Sequence, residues 1–99
     1  MESLKSYNPA TGEVVGEVPL TPVGEIPTVV ARARSAQPGW DALGLKGRAD
    51  ILKKTEALFQ ERVQQHGELI TTEMGKPIKE GVFEAKSLAW GLDRELDEI

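Results

Sequence analysis

Few side chains in this sequence could do chemistry. The chain has a single histidine and no cysteine, which removes thiolate nucleophiles, thiolate metal ligands and disulfides together. His66 stands among Gln64, Gln65 and Gly67 with no second histidine to share a metal, and is read as a solvated surface residue. Lys76 follows Gly75 and could reach a phosphate, but Gly-Lys at a helix boundary is first of all a cap. Glu80 and Glu84 are four apart, the spacing that puts two carboxylates on one helix face. Lys79 and Lys86 flank them, which makes a charged, solvated face the simpler reading. Neither GxGxxG nor GxxxxGK[ST] occurs, so no phosphate-cradling loop can be named. HExxH and GxSxG are also missing. Trp40 and Trp90 are assigned to packing between elements.

Ninety-nine residues suffice for one domain and not for two. With glycine counted and tyrosine left out, the apolar share is about 48%, within the roughly 45–50% of globular proteins. No apolar run reaches the ~20 residues of a membrane span. Met1-Glu2-Ser3-Leu4-Lys5 lacks the basic and apolar regions of a signal peptide, and a cytoplasmic location is expected. A net charge of −4, with basic residues scattered among acids, argues against nucleic acid as a partner.

The elements that must carry these residues fall into two parts, a β-hairpin over residues 1–20 and helices over 21–99. Lys5–Asn8 and Glu13–Val18 read as strands joined through Asn8-Pro9-Ala10-Thr11-Gly12, a four- or five-residue turn. Ile26, Val29, Val30, Ala33, Ala36 and Trp40 share one helical face, with a start near Glu25–Pro27 and an end expected before Pro38-Gly39. A second helix is expected over Gly47–Glu61, its stripe continuing through Val63, Leu69, Ile70 and Met74 past a break or kink at His66-Gly67. Gly75 suits a left-handed helix end and Pro77 a helix start. The last helix repeats Ile78, Val82, Ala85, Ala89, Leu92 and Leu96 at four and three residues. It closes on Asp93-Arg94-Glu95-Leu96-Asp97-Glu98-Ile99, where the acids oppose the helix dipole, so the end should fray or the helix continue.

Three strings are more specific than any of these. Asn8-Pro9-Ala10-Thr11-Gly12-Glu13 comes first, and Ala33-Arg34-Ser35-Ala36-Gln37 with Trp40 second. Glu73-Met74-Gly75-Lys76-Pro77 follows Arg48-Ala49-Asp50-Ile51-Leu52 at a fixed helical distance. In this order the chain, from Tyr7 to about Lys86, resembles the N-terminal segment of NAD(P)-dependent aldehyde dehydrogenases, most of all their succinate-semialdehyde dehydrogenase branch. The resemblance implies a mostly α segment with an N-terminal β-hairpin, the helical layer of the family's α/β, Rossmann-like cofactor domain. Residues 1–99 would then be one partial domain. The family's catalytic Cys, general-base Glu, oxyanion-hole Asn and Gly-rich cofactor loop have no counterpart here. The segment is therefore expected to bind no cofactor and to be catalytically silent, with NAD or NADP implied for the complete protein. An aromatic pair expected near the end of the last helix is replaced by Arg94-Glu95.

One family site does have matching positions. Backbone oxygens before the Asn-Pro turn and an acid before the Gly-Lys corner hold a monovalent cation in many members. Here those positions are Ser6, Tyr7 and Glu73, oxygen donors suited to a hard cation. The partners expected are the remainder of an aldehyde dehydrogenase subunit or a second copy. An independent helical interaction module is the rival reading. A small-molecule binding module finds no polar constellation to support it.

Overall fold

The computed structural model describes residues 2–98. Strands β1 (Ser3–Tyr7) and β2 (Val14–Pro19) pair antiparallel, with Leu4 opposite Val18 and Ser6 opposite Gly16. Tyr7 then pairs with Val14, so Val15 is the extra residue of a bulge. The turn is built as its residue types require. The Asn8 side chain accepts the Ala10 amide at 2.8 Å, Gly12 N–H donates to the Asn8 carbonyl at 2.7 Å, and Asn8 N–H donates to the Glu13 carbonyl at 2.9 Å. Four residues, 9 to 12, remain outside that last bond.

A single 3-10 turn (Val23–Glu25) leads into α1 (Ile26–Asp41), with Pro27 in its first turn. The expected stop before Pro38-Gly39 is corrected, because α1 runs through both residues to Asp41. Proline removes its own N–H bond and crowds the carbonyl four residues back, here that of Arg34, but its fixed φ is itself helical. Its carbonyl still accepts the Ala42 amide at 3.0 Å, so the final turn is kept. Helix α2 (Gly44–Glu61) begins three residues earlier than expected.

The break expected at His66-Gly67 lies instead at Arg62, which has φ −102° and ψ 14°. Helix α3 (Val63–Met74) is continuous through Gly67. Gly67 serves a close crossing, since a Cβ there would sit 2.6 Å from the Cα of Val82 in α4 (Ile78–Asp97). Reciprocally, a Cβ on Gly81 would lie 2.5 Å from the Gly67 carbonyl oxygen and 2.7 Å from Thr71 Oγ1. The two glycines let the helix backbones touch, and α3 against α4 is the most extensive helix contact. Among the described residues, Thr71 Oγ1, buried in that crossing, has no hydrogen-bond partner.

The α3–α4 corner is Gly75, at φ 77°, whose amide donates to the Thr71 carbonyl at 2.9 Å. Pro77 caps α4 rather than entering it, its carbonyl accepting the amides of Glu80 and Gly81 at 3.0 Å. Helix α4 holds through Asp97 without fraying, and Lys53 of α2 donates to Asp97 Oδ1 at 2.9 Å, placing a cation where the dipole asks for one. Ile99, the last residue of that expected end, lies outside the described residues.

The buried hydrophobic side chains are small or late, namely Ala49, Ala85, Ala89 and Leu96. Ile51, Leu52, Leu58 and Leu69 keep between 38% and 48% of their surface. Trp90 is 65% exposed, so its assignment to packing is corrected: it stands on the outward side of α4, away from the stripe of Ala85 and Ala89. The molecule measures 48 × 38 × 16 Å, a slab one helix layer thick. Its surface of 7808 Å² exceeds by about 2,300 Å² what a compact monomer of 10.8 kDa exposes. No helix among the described residues is long and apolar enough to cross a membrane.

Candidate functional site

The hairpin turn and the α3–α4 corner meet. Pro9 Cγ lies 3.0 Å from where a Cβ on Gly75 would stand, so the Asn8-Pro9 turn rests on the one corner residue that has no side chain. Two of the most specific strings of the sequence, 66 positions apart, therefore form one contact. Lys76, next in the corner, pairs with Glu84 on α4, and this contact raises the Lys76 pKa. Glu84 is thus committed to Lys76 and does not act with Glu80 as an acid–base pair.

Beside this corner, the hairpin face and α3 enclose a groove of about 550 Å³. Leu4, Val18 and Leu69 supply its apolar walls, and Ser6 and Glu73 lie in it together. Tyr7 ends β1 outside that lining and is half exposed. Of the three expected cation donors, the fold thus brings Ser6 and Glu73 into one groove and leaves Tyr7 at its margin. Among the described residues no side chain forms an ion pair with Glu73.

Three contacts had no signal in the sequence, and a fourth, Lys46 with Asp50, has the ordinary i, i+4 spacing of a helical ion pair. His66 tilts against Phe59 with ring centroids 5.7 Å apart, an arrangement made across the break at Arg62. Glu56 of α2 faces α4, and burial, then the nearby Asp93 and Asp97 carboxylates, push its pKa up, with Lys53 opposing. The Asp97 hydrogen bond in turn raises the Lys53 pKa. At the start of α2, Lys46 donates to Asp50 at 2.8 Å and lowers the pKa of that carboxyl.

These side chains form charged contacts between the helices and a groove beside the hairpin. The one sheet among the described residues is a two-stranded antiparallel hairpin. A dinucleotide is received where parallel strands feed helices on either side of a switch point. The residues present do not fit a nicotinamide cofactor.

Comparison with known proteins places the chain. The model of the aldehyde dehydrogenase family matches residues 1–94. A glutarate-semialdehyde dehydrogenase of Pseudomonas aeruginosa is 36% identical over 93 residues, 90% of this chain and 19% of the relative. A betaine aldehyde dehydrogenase of Rhizobium etli is 37% identical over 79 residues, 80% of this chain and 16% of that protein. A probable succinate-semialdehyde dehydrogenase [NADP(+)] of Sinorhizobium fredii is 35% identical over 83 residues, 84% and 17% respectively. The chain spans less than a fifth of the length of these relatives. With the family match running over nearly its whole length, and with the Asn-Pro turn seated on the Gly75 corner, the chain belongs to the aldehyde dehydrogenase family.

Proposed function

We propose that residues 1–99 form one partial domain, the N-terminal helical layer of an NAD(P)-dependent aldehyde dehydrogenase acting in the cytoplasm. The complete protein would oxidise an aldehyde to a carboxylate, the nicotinamide accepting the hydride. The observation that carries this reading is the slab itself. Domains bury their apolar faces between two or more layers, and here one layer leaves Ile51, Leu52, Leu58 and Leu69 open. The part played by this chain's own residues is to cover. These side chains close one face of a larger core, while Pro9 on Gly75 fixes the hairpin relative to α3 and α4. Within the same reading, Ser6 and Tyr7 backbone oxygens and the Glu73 carboxylate contribute donors for a monovalent cation, completed by the remainder of the subunit.

A chimera tests the proposal. The Pseudomonas aeruginosa relative, with its matched segment replaced by residues 1–99, should fold and reduce NAD(P) in the presence of aldehyde. Titration calorimetry on the isolated chain should show no cofactor binding tighter than about millimolar, since no phosphate-cradling loop is present. Micromolar cofactor binding by the isolated chain, or a folded chimera without activity, would overturn the assignment. The second result would favour an independent interaction module.

A further inference from the structure

Helix α1 differs from the rest of the layer in how little holds it. Every one of its residues is exposed, and its stripe of Ile26, Val29, Val30 and Trp40 keeps between 40% and 48% of its surface. Its extensive contacts are with its own lead-in turn and with α2, whereas α4 packs on both α2 and α3. A helix of 16 residues with a proline near each end is marginal in water unless something anchors it. Among the described residues, the one side-chain hydrogen bond that reaches α1 from another element comes from Arg48.

Arg48 stands in the second turn of α2. Its Nη1 donates to the Asp41 carbonyl at 3.0 Å and lies 3.4 Å from the Asp41 carboxylate. The Pro38 and Trp40 carbonyls accept the amides of Ala42 and Leu43, which leaves the Asp41 carbonyl for the guanidinium. A cation at this end also complements the helix dipole. Of the ion-paired side chains among the described residues, that of Arg48 is the least exposed, at 22%. The bend between the helices is made at Gly44, with φ 70°, and Leu43 folds down until its Cβ lies 3.1 Å from where a Cβ on Gly47 would stand.

We propose that α1 is a strap pivoting on residues 42–44, and that the Arg48 guanidinium is the positioning group that latches it against α2. Hinges concentrate their change in a few residues at the ends of elements, and here a glycine is among them. At its other end α1 is tied through the 3-10 turn and Leu20, whose amide donates to the Glu2 carbonyl at 2.9 Å, so release turns the helix rather than detaching it. Latched, the strap offers its apolar stripe to a covering layer in one orientation; unlatched, it samples several. The latch lies within this chain and does not depend on the enzymatic reading.

Paired spin labels test it, and a chain without cysteine lets them be placed at will. Arg32→Cys with Lys54→Cys reports α1 against α2, and Lys54→Cys with Lys86→Cys reports α2 against α4. All three positions are exposed and outside every ion pair among the described residues. Double electron–electron resonance with Arg48 in place should give one narrow distance for each pair. Arg48→Met keeps the aliphatic stem and removes the donor. It should at least about double the width of the first distribution and leave the second unchanged. Asp41→Asn keeps the carbonyl acceptor and should leave both narrow. Helical circular dichroism establishes that each variant is folded, and Arg48→Gln replaces Arg48→Met if that one is not. A first distribution that is broad with Arg48 present, or narrow without it, would overturn the proposal. So would equal broadening of both pairs, which would make Arg48 a support of the whole layer, or broadening by Asp41→Asn, which would move the contact off the carbonyl.

Discussion

Replacing Gly81 by alanine puts the α3–α4 crossing under a defined load. The added Cβ would stand 2.5 Å from the Gly67 carbonyl oxygen and 2.7 Å from Thr71 Oγ1. Unstrained carbon contacts lie near 3.5–4.0 Å, so the helices must separate locally by roughly 1 Å. The opposing oxygen is backbone and cannot rotate away. Overpacking of this kind costs about 1–3 kcal/mol. Against it stands the helix propensity of alanine over glycine, a gain of about 1 kcal/mol. The packing term should win, leaving Gly81→Ala destabilised by up to about 2 kcal/mol. Gly91→Ala is the internal control, on the same helix with nothing within 4 Å of its Cβ. Only propensity acts there, and a stabilisation of about 0.5–1 kcal/mol is expected. Thermal melts followed at the helical circular-dichroism band, at one fixed protein concentration, separate the two. For a chain of this size 1 kcal/mol moves the midpoint by about 4–8 °C. Gly81→Ala melting above the natural chain, as Gly91→Ala should, would refute the close crossing.

Two further outcomes test the packing and the charged contacts. Leu96→Ala removes the one large buried aliphatic side chain among the described residues and should cost about 2–5 kcal/mol, whereas Leu88→Ala, at an exposed site, should change stability by less than about 0.5 kcal/mol; urea midpoints decide it. Glu56, its pKa raised by burial and by Asp93, holds its proton more tightly folded than unfolded. Its protonation therefore favours the fold at low pH, and that help is lost as pH rises from the ordinary value of 4.5 through the raised one. Glu56→Gln should remove this loss and gain on the natural chain as pH rises from below to above the ordinary value of 4.5. A constant difference across that range would exclude the carboxylate contact.

What could be read from the sequence was what a few neighbouring residues decide alone. The Asn8–Gly12 turn and the left-handed Gly75 follow from side-chain and backbone chemistry within five residues, and both stand as expected. The stripe of α4 is equally local. Gly67 was misread because its reason lies across the crossing at Gly81 and Val82, and no local pattern separates a packing glycine from a breaking one. Pro38 misled in the opposite way, since a proline in the last turn forfeits only one bond. At the candidate site, Ser6 and Glu73 came from family resemblance, because 67 positions separate two residues that spacing could not have joined. The groove between them is set by the seating of Pro9 on Gly75.

That seating has a consequence for the order of assembly. Gly67 and Gly81 are 14 positions apart, so α3, its corner and α4 can dock as soon as they are helical, with little loop entropy to overcome. Pro9 must instead find Gly75 across the whole of α1, α2 and α3. The hairpin leaves the ribosome before the corner does, yet it has no surface to rest on until the corner exists. Its strands are a marginal pair by themselves, so a segment made before α1, α2 and α3 acquires its place after them. During that interval the exposed edges of β1 and β2 are open to pairing with another chain.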